Sequence, residues 1–367
     1  MGRDKLGKLI CILYNQWETL KQEVLALKIS QVKVENYTVF QSAQSSFSDG
    51  INVLIGENGT GKTHLMKLLY SASQAADSRV SFSNKLVKTM LPDDYNISRL
   101  LTRRPGSSHA NIQIAARCEE DCNIKKLKIA FHSKTKKWDA EVIGENSWEN
   151  AFQGESSIFI PTKEILSNSF NLNAAVEKGN VLFDDTYLDI LNSAKVDASL
   201  GRNEKSRSKM LRAIEAIIDG KVIYDAKKDT FYLKKGNSKQ EFNLVSEGIR
   251  KMALIWQLVK NGMLDKGSVL FWDEPESNMN PSYIPVIVDL LLALSRNDVQ
   301  IFVATHDYFF SKYIDARREP SDRIIYHSLY QNNGELCWES ESEFSLLENN
   351  GILETARRLY REEVGVK

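Results

Sequence analysis

The octet Gly56-Glu57-Asn58-Gly59-Thr60-Gly61-Lys62-Thr63 lies between an apolar run, Ile51–Ile55, and a segment, His64–Ser73, whose Leu65, Met66, Leu68 and Leu69 recur at helical spacing. It matches G-x-x-x-x-G-K-[ST], and it does so in the strand, loop and helix setting that the pattern requires. Glycines let the backbone turn tightly enough for its N–H groups to face phosphate oxygens, and the amino terminus of the following helix adds partial positive charge. Lys62 then reaches the β- and γ-phosphates, Thr63 ligates magnesium, and His64 joins the octet as the next residue of the candidate nucleotide site. An α/β fold of the P-loop type follows.

A second stretch, Val269-Leu270-Phe271-Trp272-Asp273-Glu274-Pro275, is an apolar run closed by two acids. Alone it is an ordinary strand with an acidic turn. Downstream of a phosphate loop, a buried strand brings Asp273 to its carboxyl end beside the loop, where it holds the magnesium shell, and Glu274 polarises the attacking water. Gly267–Trp272 and Val299–Ala304 are both bounded apolar runs, the mark of fully buried parallel strands.

Composition fits this picture and narrows what surrounds it. A chain of 367 residues with 42% hydrophobic content can bury a sizeable core. Lys plus Arg and Asp plus Glu each number 48, so any basic surface must be local. Cysteines at 11, 118, 122 and 337 form no disulfide framework, which points to a reducing, cytoplasmic setting. Cys118-x-x-x-Cys122 lacks a second ligand pair for zinc. The apolar run Ile284–Leu294 is broken by Asp289 and too short to span a bilayer, and no signal-peptide pattern opens the chain, so no membrane partner is expected.

Alternating apolar residues predict a strand at Leu27–Val34, with further strands at Ala110–Ala116, Lys126–Phe131, Ser157–Ile160, Val222–Tyr224 and Thr230–Leu233. Residues 166–220 read as helical, Arg207–Ile218 carrying an apolar face, and another helix starts at Gly248. No heptad pattern persists between residues 64 and 270, which excludes long coiled-coil arms. The expected division is an extension at 1–26, an ATPase lobe with an antiparallel β region at 27–165, a helical insertion at 166–220, a second ATPase segment at 221–330 and a carboxyl-terminal segment at 331–367.

Between the two motifs lies Val245-Ser246-Glu247-Gly248-Ile249-Arg250-Lys251, running into the apolar helix Met252–Val259. Ser246 is a natural helix cap, and a serine-capped helix start is also a ready anion site. Here the residues resemble the ABC-ATPase superfamily, in which a Ser-x-Gly signature of one subunit contacts the γ-phosphate held by another. The usual Leu-Ser-Gly-Gly-Gln form is not met. The chain looks more like the RecF, SMC and OLD branch without long coiled coil than like transporter subunits. That resemblance implies a head-type fold with a mainly parallel core sheet, an antiparallel β subdomain and a helical insertion. It also implies ATP and Mg2+ as cofactors, and a homodimer in which Ser246 and Gly248 complete the partner's site. Ser277-Asn278-Met279-Asn280-Pro281 is similar to the family's D-loop, and Thr305-His306-Asp307 follows a buried strand as its switch histidine does. The resemblance thus makes Glu274, His306 and Lys62 the catalytic set.

Weaker signals leave alternatives open. Ile160-Pro161-Thr162-Lys163-Glu164 stands where the family has a glutamine loop, but the glutamine is missing; either Lys163 or Glu164 couples the insertion to nucleotide, or the turn merely starts a helix. Tyr37 or Phe40 stacks on adenine or packs in the core. The basic stretch Arg202–Arg212, within a region to Lys260 that has twice as many basic as acidic residues, is a solvated face or a contact to DNA or RNA backbone; Lys85–Lys137 is also basic. About 60 residues follow His306, too few for an appended nuclease domain, so resemblance to stand-alone PtuA-like and AriA-like anti-phage ATPases implies a separately encoded effector, a nuclease or toxin. Leu353–Val364 has helical spacing and would suit such a partner. Three functions compete: an ATPase that drives an effector in DNA repair or defence; a non-hydrolysing, ATP-loaded scaffold that sequesters one; and a transporter's nucleotide-binding subunit, which the poor signature, the missing glutamine and the large insertion disfavour.

Overall fold

A computed structural model describes residues 26–104, 106, 108–118, 123–196 and 205–365. The expected amino-terminal extension, but for Ala26, lies outside the described residues, as do Cys11, Cys122 and Arg202. The strands are β1 (Leu27–Tyr37), β2 (Phe40–Ser46), β3 (Ile51–Gly56), β4 (His109–Cys118), β5 (Ile124–His132), β6 (Glu141–Ile143) and β7 (Ser157–Ile160). They continue as β8 (Lys221–Asp225), β9 (Thr230–Lys235), β10 (Ser238–Glu241), β11 (Val269–Asp273), β12 (Gln300–Ala304), β13 (Ile324–Asn332) and β14 (Glu335–Glu341). Helices are α1 (Lys62–Gln74), α2 (Phe82–Met90), α3 (Glu145–Phe152), α4 (Leu172–Glu177) and α5 (Asp185–Lys195), followed by α6 (Lys205–Ile218), α7 (Glu247–Lys260), α8 (Ile284–Arg296), α9 (Tyr308–Arg317) and α10 (Gly351–Glu363).

The central sheet runs β14-β13-β3-β12-β11-β7, parallel throughout except for the β13–β14 hairpin. Among the described residues, a five-stranded antiparallel sheet, β2-β1-β4-β5-β6, and a three-stranded one, β10-β9-β8, complete the sheets. Side chains of a strand point alternately to its two faces, so β3 sends Ile51, Val53 and Ile55 into one core and Leu54 into another. β11 divides likewise, Leu270 and Trp272 against Val269 and Phe271. The first core is filled by α7, α8 and the three-stranded sheet; the second packs α1 and α2 against Ile29, Val34, Ile112 and Ile129 of the antiparallel sheet. With helices or sheet on both faces, strands such as β11 and β12 carry near-continuous apolar runs, which is why they read as buried.

Buried polar residues fasten the layers. Gln300 opens β12, donates to the carbonyls of Ile29 (2.8 Å) and Ser48 (2.7 Å), and accepts from the Ile29 N–H (2.8 Å), tying the antiparallel sheet to the central one. Because β3, β7, β11 and β12 run in one direction, their carboxyl ends place Gly56, Ile160, Asp273 and Ala304 along one edge of the sheet, where ligands bind in open α/β sheets.

Candidate functional site

The phosphate loop leaves β3 at that edge. Gly56 has φ 144°, and a Cβ there would collide with the carbonyl oxygen of Leu329; Gly61 has φ 90°, and a Cβ would lie 2.6 Å from Val39 Cγ2. Only glycine fits both positions. No side chain caps the amino terminus of α1, so its first N–H groups are free to face an anion. Lys62 folds back over the loop, its Nζ donating to the carbonyls of Gly56 (2.8 Å) and Glu57 (2.9 Å). Burial pulls its pKa down to about 8, against the raising effect of Asp273, Glu274 and Glu276.

Thr63 Oγ1 donates to Asp273 Oδ2 at 2.9 Å. Burial raises the pKa of Asp273 most, the Thr63 hydrogen bond lowers it, and the charge of Glu274 raises it again. A hydroxyl and a carboxylate side by side are hard oxygen donors suited to magnesium, which keeps most of its remaining shell as water and phosphate. The pair fits the implied ion. Beyond Asp273 the chain turns through Glu274 at φ 48°, and His306 Nε2 stands 3.2 Å from Glu274 Oε1. Thus Lys62, Thr63, Asp273, Glu274 and His306, drawn from three segments of the sequence, meet at one edge of the sheet.

Ser246 and Gly248 do not join them. Among the described residues no hydrogen bond or ion pair links either to the loop of its own chain. Ser246 stands exposed at the start of α7 with no side-chain capping bond, so its hydroxyl does not serve the cap that its position allowed. Gly248 is buried, and a Cβ there would lie 3.2 Å from the Asn278 carbonyl oxygen and 3.3 Å from Met279 Cα, so the signature helix packs closely on Ser277–Asn280. Lys251 Nζ donates to the Ser277 carbonyl (2.7 Å), and Asn278 Nδ2 to Glu247 (3.1 Å).

Two family models match the chain: "AAA ATPase domain" over residues 27–198, and "AAA domain, putative AbiEii toxin, Type IV TA system" over residues 133–311. Among curated proteins, the chain is similar to DNA replication and repair protein RecF of Bacillus mycoides (35% identity over 88 residues, 24% of this chain and 23% of that protein). The RecF of Bacillus cytotoxicus is 34% identical over 88 residues, with the same shares. The chain spans about a quarter of the length of these relatives. Among solved structures, an Smc head bound to the C-terminal winged-helix domain of ScpA superposes with a TM-score of 0.58 at 12% identity, covering 86% of this chain and 98% of that one. The Smc head domain with coiled coil and joint from Pyrococcus yayanosii gives 0.55 at 11%, covering 92% and 99%. Over residues 27–311 the chain is thus similar to AAA-type ATPase domains, and it shares its fold with the Smc heads.

The turn after β7 is tied to α7. Glu164 is buried and pairs with Arg250 of α7 (Oε2 to Nε, 2.7 Å), while Arg250 Nη1 donates to the carbonyls of Val245 (2.7 Å) and Phe242 (3.2 Å). Of the two residues weighed there, Glu164 is the one bound to the signature loop. Tyr37 and Phe40 are buried in the second core and offer no face to adenine; beside Gly61 it is Val39, in the β1–β2 turn, that is exposed. Of the basic stretches, Arg207 is buried against Asp265 and Lys85 against Asp185 and Asp189, so neither is available to a nucleic-acid backbone.

Sequence reasoning gave no role to Glu276. Its Oε1 accepts from Thr305 Oγ1 (2.6 Å) and from the His306 N–H (3.1 Å), and burial raises its pKa. The carboxyl thereby fixes the loop that carries His306. An acid two residues past Glu274 was visible, but its partner lies 29 residues away on another strand end. Tyr187 of α5 was missed as well: its phenol is pushed up to about 12 by burial and then by the charges of Asp184 and Asp273.

Proposed function

We propose that the chain binds Mg-ATP in the Gly56–His64 loop and hydrolyses it, two copies closing over shared nucleotide. The observation that carries this is the meeting of Thr63 with Asp273 at 2.9 Å and of His306 with Glu274 at 3.2 Å beside Lys62. Thr63 and Asp273 would hold the magnesium, which when bound neutralises phosphate charge and orients the terminal phosphoryl group. Lys62 trades its two loop carbonyls for phosphate oxygens. Glu274 accepts the proton of the attacking water, whose oxygen bonds to the γ-phosphorus as the bond to the β–γ bridging oxygen breaks, giving ADP and phosphate. His306 stabilises the charge on the transferring group, held at its station by Glu276.

Ser246, exposed and with no side-chain capping bond, supports the reading that it serves the nucleotide of the other copy, while Gly248 lets its helix start pack closely on Ser277–Asn280 beside it. The output is head closure on binding and reopening on hydrolysis. We further propose, from the likeness to RecF and to the AbiEii-type model, that closure gates a separately encoded effector, a nuclease or toxin, in DNA repair or anti-phage defence.

Glu274→Gln tests the chemistry. It lowers steady-state turnover about a hundredfold or more while ATP-dependent pairing persists, as expected for the loss of a general base. Turnover equal to the native chain's removes Glu274 from that role. Negligible turnover by the native chain itself favours the scaffold reading.

A further inference from the structure

A cavity of about 1180 Å3 opens between α10 and the phosphate loop, walled by Gly56, Glu57 and His306 on one side and Phe309, Leu359 and Tyr360 on the other. The far wall is apolar and solvent-facing: Phe309 is 60% exposed and Tyr360 65%. α10 carries Ile352, Ala356, Leu359 and Tyr360 at helical spacing toward the cavity, yet buries none of its residues. An apolar face of this kind, rimmed by polar residues, marks an interaction site.

A second exposed apolar residue stands at the other half of the proposed nucleotide site. Leu244 is 70% exposed, two residues before Ser246. It is held out by a short 3-10 turn, Phe242–Leu244, that is anchored from both sides: Phe242 is buried in the first core, and Arg250 donates to the carbonyls of Phe242 and Val245.

We infer that the Phe309–Leu359–Tyr360 groove receives Leu244 of a second copy. The inference rests on the proposed ATP-sealed pair. In that pair Ser246 of one copy meets the phosphate loop of the other, and a two-residue separation keeps Leu244 within about 7 Å of Ser246. The groove begins at Gly56, Glu57 and His306, so the same approach that seats the serine delivers the leucine to the groove wall. Two-fold symmetry makes the contact twice. The groove's rim carries both signs, Arg357 and Arg361 with Glu57 and Glu363, so what it selects is an apolar side chain and not a net charge. A different protein in this groove would be expelled whenever the pair closed.

The test uses the full chain carrying Glu274→Gln, with ATP and magnesium. Leu244→Asp or Tyr360→Asp, both at exposed positions, weakens ATP-dependent pairing in sedimentation velocity about tenfold or more, with ATP affinity of the single copy changed less than about twofold. Leu244→Cys with Phe309→Cys, mildly oxidised, yields a peptide pair linked between copies in ATP and not without it, read by mass spectrometry. An ATP-dependent pair that neither aspartate weakens, with no linked peptides, overturns the inference and leaves the sealed pair standing. A chain that binds ATP and stays single overturns both.

Discussion

Lys62 is where nucleotide binding and proton equilibria meet. Its side chain is largely desolvated and bonded to two neutral carbonyls, with its pKa at about 8. The triphosphate favours the ammonium form. Below about pH 8 the ammonium is already present and affinity is flat with respect to this group; above it the lysine must take up a proton on binding. ATP affinity should therefore fall as pH rises past 8, approaching a tenfold loss per unit. Calorimetry of ATP binding between pH 7 and 10 checks this, and Lys62→Ala, weaker at every pH, should lose the slope. At this scale the candidate site was largely legible, because glycines, a lysine and a threonine at fixed spacing can be recognised locally. Glu276 and Tyr187 were not, since their roles depend on partners brought by other elements.

α5 links elements that the sequence separates. Its amino-terminal acids bind the helix that follows the phosphate loop and its neighbour: Asp184 pairs with Lys67 (2.7 Å), Asp185 and Asp189 with Lys85 (2.9 and 2.6 Å), and Tyr70 donates to Asp189 (2.6 Å). Its carboxyl-terminal carbonyls accept from α7, Ser193 from Asn261 (2.7 Å) and Ala194 from Gln257 (3.0 Å). α5 thus spans from the phosphate-loop helix to the signature helix. Lys85→Met leaves Asp189 without its cation; the acids keep some solvent, so the cost should be about 2–3 kcal/mol, below that of a fully buried pair. Urea unfolding measures the total, and faster amide exchange in α5 ahead of the rest would locate it. Elements with an apolar rhythm, such as β11, β12 and α7, could be read from sequence. β2 (FQSAQSS) and β10 (SKQE) could not, because their residues are mostly polar and only pairing with β1 and β9 makes them strands.

Among the described residues the phosphate loop and its acids lie at one sheet edge, and the exposed Ser246 makes no hydrogen bond to any of them; the proposed function reads these as two half-sites. The order of motifs along the sequence announced the fold, but which half-site faces which is a property of two molecules and has no local signature. Neither half performs the proposed reaction alone. Mixing two defective chains is the most direct measurement of this claim. Lys62→Ala removes the grip on ATP but keeps the signature, whereas Ser246→Arg blocks the signature but keeps the grip. Each alone should be inactive. Their equimolar mixture builds pairs with one intact composite site, and should recover about a quarter of native ATP turnover if copies pair at random with two-fold symmetry. A mixture as inactive as its components, although the two chains are seen to pair, would contradict nucleotide sealed between copies.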